Sequence, residues 1–245
     1  MNHSASDSTQ PAGRYLMVVD SKTTDLFTCA MLLQRFGYRV CTANTSVQAL
    51  DLISVAIPAL VIADLYLPVI TGIDLNGLLK QDPRSASVPV IILRPSGDES
   101  AMRRCLAQKI TTLPKPIQVE DLYQAVQVAI ESTPRSNIRI ETRISVSVNN
   151  VPLDCIEGEC ASVLSEHGIY VRTREPHSRN EHVTVEMSIN GRVIPAEATV
   201  LYSHRHGDGP FAEAGMGLKF LNIAPEDQTF IRKFIREDVL KEVSS

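Results

Sequence analysis

The 245-residue chain has no tryptophan, only six phenylalanines and six tyrosines, and five cysteines. An odd, sparse cysteine count is a poor basis for a disulfide framework, so a reducing cytoplasm is the expected compartment. Long hydrophobic runs are lacking too. Stretches such as Ala59-Leu60-Val61-Ile62-Ala63 fall far short of the ~18 residues a spanning helix needs. Met1 to Gln10 is polar with no apolar core, so a secretory signal is not expected. Nor is there an excess of positive charge. The net charge is −4, with 11 Lys+Arg against 12 Asp+Glu up to Pro134 and 13 against 16 after it. Neither half is basic, which argues against a large nucleic-acid footprint. What remains is 44% hydrophobic and 21% charged, the balance of a folded globular chain long enough for two ordinary domains.

The pattern divides that length. Residues 1–13 are rich in Ser, Asn, Asp, Pro and Gly and are expected to form a mobile tail. Apolar runs follow at Tyr15–Val19, Tyr38–Thr42, Leu60–Ala63, Val88–Leu93 and Ile110–Leu113. Near-continuous apolar runs suit strands buried on both faces of a parallel sheet. Between them lie helical spacings: Leu26, Cys29, Ala30, Leu33 and Phe36; Val47, Leu50 and Ile53; Leu75, Leu78 and Leu79; residues 98–108; then Val119, Leu122, Val126, Ala129 and Ile130. This alternation predicts an α/β domain over 14–132, a doubly wound five-stranded parallel sheet with helices on both faces. Ligands of such sheets gather at the carboxyl ends of the strands, where Asp20, Asp64 and Lys115 fall.

Pro134 predicts the end of the last helix, and residues 133–139 read as a linker. Beyond it the period changes to two. Ile144, Val146 and Val148 alternate with serines, and Val183, Val185 and Met187 alternate likewise. Asn149-Asn150, Asn190-Gly191 and Gly207-Asp208-Gly209 are turn signals. Residues 140–245 therefore read as a small antiparallel barrel or sandwich, closed by a helix over Pro225–Leu240. Glu157, Glu159 and Glu166 read as solvated strand positions.

Asp20 after the first strand, Asp64 after the third and Lys115-Pro116 after the fifth resemble the response-regulator receiver family. Asp64-Leu65-Tyr66-Leu67-Pro68 with Gly72 is similar to that family's phosphoacceptor loop. The resemblance implies Asp64 as the phosphoacceptor, Lys115 as the contact to the phosphoryl oxygens, and Asp20, Asp64 and the Tyr66 carbonyl as a Mg²⁺ site. A carboxylate attacking a negative phosphoryl group needs such cations. It also implies a sensor histidine kinase as partner and a homodimer through the last helix-strand-helix face. Three positions depart from the family. Ser21 replaces a second acid, Arg94 stands where Thr or Ser is usual, and Thr112 where an aromatic switch is usual. Two acids in place of three weaken Mg²⁺ binding. Arg94 is expected to reach Asp64 and stand in for the metal.

Arg135-x-x-x-Arg139, then Ser165-Glu166-His167-Gly168, then Gly217-Leu218-Lys219-Phe220 resemble the PilZ family, which binds cyclic di-GMP on a β-barrel. The resemblance implies Arg135, Arg139, Ser165 and Gly168 as ligand contacts. Arginine suits this ligand because it pairs bidentately with phosphate and with guanine O6/N7. Arg139 and Arg143 fit the same spacing; Arg135/Arg139 is preferred because Arg143 falls inside the alternating strand. Val163 replaces the family's Asp or Asn, and one lost polar partner costs about 1–3 kcal/mol. The sequence thus predicts a non-enzymatic signalling protein that binds cyclic di-GMP. The rival reading is a protein-interaction adaptor in which both domains are degenerate. DNA binding is not expected, since no helix-turn-helix pattern is present.

Overall fold

The computed structural model describes residues 15–205 and 214–241. The expected tail over 1–13 and the Gly207-Asp208-Gly209 turn lie outside the described residues. The chain divides between Ser136 and Asn137 into two compact units.

The first unit holds β1 (Leu16–Val19), α1 (Thr23–Arg35), β2 (Val40–Ala43), α2 (Ser46–Val55), β3 (Leu60–Asp64), α3 (Gly72–Gln81), β4 (Val90–Pro95), α4 (Glu99–Ala107), β5 (Thr111–Lys115) and α5 (Val119–Ile130). The strands pair in parallel in the order β2-β1-β3-β4-β5. β1 and β3 are buried along their whole length, which is why their sequences are apolar without alternation. The strand order reverses between β1 and β3, so Asp20 and Asp64 face the crevice where open α/β sheets hold ligands. Two edges differ from the sequence reading. β2 begins at Val40 because Gly37 (φ 87) ends α1 and the Tyr38 amide donates back to the Leu33 carbonyl. β4 begins at Val90 because the Val88 amide closes a turn onto Ser85.

The second unit holds β6 (Arg139–Val148), β7 (Val151–Pro152), β8 (Ala161–Ser165), β9 (Gly168–Arg172), β10 (His182–Ile189), β11 (Arg192–His204), β12 (Gly215–Ile223) and α6 (Pro225–Leu240). The order is β10-β11-β12-β9-β8-β6, and β10 pairs again with β6. The six strands thus form a closed antiparallel barrel, with β7 appended to β6. Ile140, Ile144, Val146 and Val148 of β6 and Val183, Val185, Met187 and Ile189 of β10 are buried, alternating with more exposed residues along each strand. α6 buries Ile231, Ile235 and Val239. The Asn149-Asn150 and Asn190-Gly191 turns take the positive φ angles that tight hairpins require.

Two expectations need correction. Arg139 is the first residue of β6, so the linker ends before it. Glu157 and Glu159 lie in the loop between β7 and β8, and Glu166 lies in the turn between β8 and β9, so none is a strand position. Acidic residues near turn glycines do not reveal a loop by period alone.

Candidate functional site

In the first unit the carboxyl ends of β1, β3 and β5 and the first turn of α1 bring four charged side chains together. The Lys115 ammonium lies 2.6 Å from Asp20, 2.6 Å from Asp64 and 3.0 Å from Asp25. Each of the two strand-end acids is fixed by a backbone amide two residues on. Lys22 N–H donates to Asp20 Oδ1 and Tyr66 N–H to Asp64 Oδ2, both at 2.9 Å. Gly72 explains itself on the same ground. A Cβ there would stand 2.4 Å from the Asp64 carbonyl oxygen, so only glycine lets α3 start this close.

Burial pulls the Lys115 pKa down, but hydrogen bonds to Asp20, Asp64 and Asp25, with the Asp64 charge, outweigh it and hold it above the usual range. Asp25 shows the reciprocal effect. Burial pushes it up, yet Lys115 and Lys22 together bring it below the ordinary carboxylate value. Asp25, in the first turn of α1, was not among the strand-end residues that the sequence singled out. Its signal was available, since one helical turn beyond the β1 loop returns to the strand ends, but it needs the entry direction of α1.

Arg94 does not stand in for a metal. Its guanidinium points away from Asp64, with Nε on the Thr112 hydroxyl (3.4 Å), one Nη on the Pro95 carbonyl (3.2 Å) and the other on Met102 Sδ (3.7 Å). The outward residue of β4 faces its β5 neighbour, because Arg94 pairs with Pro114 in register and lies beside Thr112. Ser96, two residues on, donates its hydroxyl to the Lys115 carbonyl at 2.8 Å. Tyr66 crosses the mouth of the site, with its hydroxyl 2.6 Å from Asp98, the N-cap of α4. Asp20, Asp64 and the Tyr66 carbonyl are the hard oxygen donors Mg²⁺ prefers, so the donor chemistry fits a receiver metal. Among the described residues no three His, Cys, Asp or Glu side chains are grouped to hold a metal ion. Ser21 leaves that set one carboxylate short, and the Lys115 ammonium meets the same acids.

In the second unit the outer face of the barrel aligns the motif residues. Arg139 pairs with Ser165 across β6–β8, Ser165 with Gly168 across β8–β9, and Gly168 with Lys219 across β9–β12. The Ser165 hydroxyl donates to the Gly168 carbonyl at 3.0 Å and closes the turn. Gly168 has its own packing reason: a Cβ would stand 2.2 Å from the Leu218 carbonyl. Glu166 in that turn holds Arg232 of α6 through both its oxygens, and this partner keeps its pKa low. Val163 pairs with Glu141, so a carboxylate faces it on the neighbouring strand. Arg143 lies inside β6 as expected, outward like Arg139, and donates to the Cys155 carbonyl at 2.6 Å. Arg135 belongs to the first unit. Its amide donates to Gln127 Oε1 (2.9 Å) and its carbonyl accepts from Gln124 (3.3 Å).

Comparison with known proteins agrees with both halves. Residues 16–127 match the model of the response regulator receiver domain, and residues 132–237 match the PilZ domain. The two-component response regulator ORR12 of Oryza sativa subsp. japonica is 30% identical over 111 residues, covering 44% of this chain and 91% of that protein. ORR7 of the same plant is 29% identical over 110 residues, again 44% of this chain, and the match spans about half, 52%, of its length. The polar-differentiation response regulator DivK of Brucella ovis is 26% identical over 117 residues, covering 46% of this chain and 92% of DivK. A crystal structure of a response regulator receiver domain protein from Clostridium thermocellum is 28% identical, covering 48% of this chain and 94% of that one, with a TM-score of 0.44.

Proposed function

Since the chain belongs to the response-regulator family, with a receiver domain followed by a PilZ domain, we propose that it is a non-enzymatic cytoplasmic signalling protein whose PilZ domain binds cyclic di-GMP. The observation that supports this best is the outer row of the barrel. It sets Arg139 opposite Ser165 and Ser165 opposite Gly168, with Lys219 opposite Gly168 on the next strand. In this reading Arg139 binds phosphate or a guanine edge bidentately, Ser165 offers hydroxyl contacts, and Arg135 supplies a second guanidinium from the preceding segment.

The receiver domain takes the input. Asp64 is its phosphoacceptor: one carboxylate oxygen attacks the phosphorus of the donor, the donor's bond to phosphorus breaks, and an acyl phosphate remains on Asp64. Lys115, 2.6 Å from Asp64, neutralises the developing charge on the phosphoryl oxygens. Asp20, Asp64 and the Tyr66 carbonyl would hold Mg²⁺, which adds positive charge at the same oxygens. With Ser21 and Arg94 in place, phosphorylation is slow. The phosphodonor is a sensor histidine kinase, and the receiver's last helix-strand-helix face forms a homodimer.

One observation favours the rival reading of a protein-interaction adaptor. Glu141 lies opposite Val163 on the ligand row's neighbour, placing negative charge where a phosphodiester approaches. Equilibrium dialysis of the full chain against labelled cyclic di-GMP separates the two. Micromolar or tighter retention, competed by unlabelled ligand and not by GTP, supports the receptor. No retention leaves the adaptor. In parallel, acetyl phosphate with Mg²⁺ adds one phosphoryl group in intact-mass spectra, and none in Asp64→Ala.

A further inference from the structure

The outer face of the barrel carries a second row that the family motifs do not include. Tyr170 of β9 pairs with Gly217 of β12, and Gly217 with Tyr202 of β11. The row beyond holds Arg172, Gly215 and His204 in the same register. A Cβ on Gly217 would stand 2.5 Å from the Tyr202 ring, and one on Gly215 would stand 2.6 Å from the Tyr170 hydroxyl. Both rings therefore lie down on a glycine floor instead of standing out from the sheet. They stack with centroids 6.2 Å apart and 25° between planes, and His204 tilts against Tyr202 at 5.6 Å. Although one side rests on the sheet, Tyr202 remains 41% exposed.

A flat aromatic surface bordered by cations suits one class of ligand. Lys219 lies in the row on one side of the tyrosines and Arg172 in the row on the other. A nucleotide combines a planar base with a phosphate, and aromatic side chains stack bases while cations take the backbone. The aromatic row is continuous with the motif row, since Tyr170 follows Gly168 on the same face of β9. From Gly168 to Tyr202 is two strand spacings, roughly 10 Å, within reach of one nucleotide unit of a dinucleotide.

We propose that Tyr202, backed by Tyr170, is a stacking platform for one guanine of the cyclic dinucleotide, with Lys219 at the adjoining phosphate. This rests on the receptor reading above and deepens it. It names the contact that offsets Val163: a hydrogen-bonding partner is lost on β8, and a π-face is supplied three strands away, on β11.

The test is calorimetric titration of cyclic di-GMP into full-length wild type, Tyr202→Phe and Tyr202→Leu, with proton NMR of the ligand alongside. Stacking on an aromatic is worth a ten-fold or larger factor in affinity, so Tyr202→Leu weakens binding by about ten-fold or more while Tyr202→Phe stays within about two-fold. A bound guanine H8 resonance moves upfield in the wild type from the ring current. Matching thermal midpoints establish that the variants fold; if Tyr202→Leu does not, the H8 shift in wild type decides. Wild-type affinity in Tyr202→Leu, or an unmoved H8 signal in bound ligand, overturns the platform while leaving the receptor reading intact. No wild-type binding overturns both.

Discussion

Asp25 Oδ2 lies 3.0 Å from the Lys115 ammonium, although the two residues are 90 positions apart and Asp25 belongs to a helix, not to a strand end. Lys115 therefore meets three carboxylates in a site whose sequence departs from its family by losing an acid at Ser21. Asp25→Asn should lower the Lys115 pKa, because one of the hydrogen bonds opposing burial disappears. A lysine raised above its unfolded value of 10.5 stabilises the fold below that value, and the effect is lost as pH rises through the folded pKa. The variant should accordingly melt at lower pH than wild type on the alkaline side. Asp25 itself is held low, so its contribution is present above 3.8 and fades as pH falls through its folded value. Thermal midpoints from pH 3 to 11 check both limbs; superimposable curves would refute the account.

The Tyr66–Asp98 hydrogen bond gives a second pH signature. The Tyr66 hydroxyl, with the Ala101 amide and Ser100, brings the Asp98 pKa down to about 2, and Asp98 in turn raises that of Tyr66. Asp98 thus stabilises above its unfolded 3.8 and loses that effect toward about 2; Tyr66 stabilises below 10.0 and loses it above. Tyr66→Phe should be less stable than wild type near neutrality, with the gap closing at both extremes. Both groups are solvent-exposed, so the gap is small and is read from midpoints at several pH values. A gap independent of pH would mean that the bond does not form.

Gly168 separates packing from binding. Its Cβ would meet the Leu218 carbonyl at 2.2 Å, so Gly168→Ala should destabilise the ligand-free protein by about 1–3 kcal/mol, the usual cost of overpacking. Gly77, in α3 with nothing within 4 Å of its Cβ, is the control: Gly77→Ala should stabilise by about 0.5–1 kcal/mol through helix propensity. Denaturant titration reads both. A neutral Gly168→Ala would assign that glycine to the ligand alone.

Arginine register and Val163 are tested by affinity. Arg139 belongs to either spacing of the motif, so Arg135→Ala and Arg143→Ala discriminate between them. Arg135→Ala should weaken cyclic di-GMP binding while Arg143→Ala should leave it within two-fold. The reverse result would move the motif into β6. Val163→Asn should tighten binding roughly ten-fold, since a restored hydrogen bond is worth about 1–3 kcal/mol.

What the sequence revealed follows from the range of the forces involved. The five parallel strands were legible because burial on both faces writes an unbroken apolar run, as in Leu60–Ala63. Asp20, Asp64 and Lys115 were legible as strand ends. Arg94 was misjudged, because the side a long side chain turns to depends on its β5 neighbour Thr112 and on Met102 of α4. The period alone left barrel and sandwich open, since the β10–β6 pairing joins Val185 to Val148 and leaves no local period; the PilZ resemblance implied the barrel that the strands form. The aromatic row escaped notice for the same reason: Tyr170 and Tyr202 lie on strands that are neighbours only through β12, where Gly217 pairs with both.

The most direct measurement is calorimetric titration of cyclic di-GMP into the purified full-length chain, beside Arg139→Ala. The account predicts micromolar or tighter binding in wild type and at least a ten-fold loss in the variant, since Arg139 supplies a charge-assisted contact worth about 1.5–3 kcal/mol. Absence of heat and of any thermal shift at saturating ligand, or equal affinity in Arg139→Ala, would contradict it.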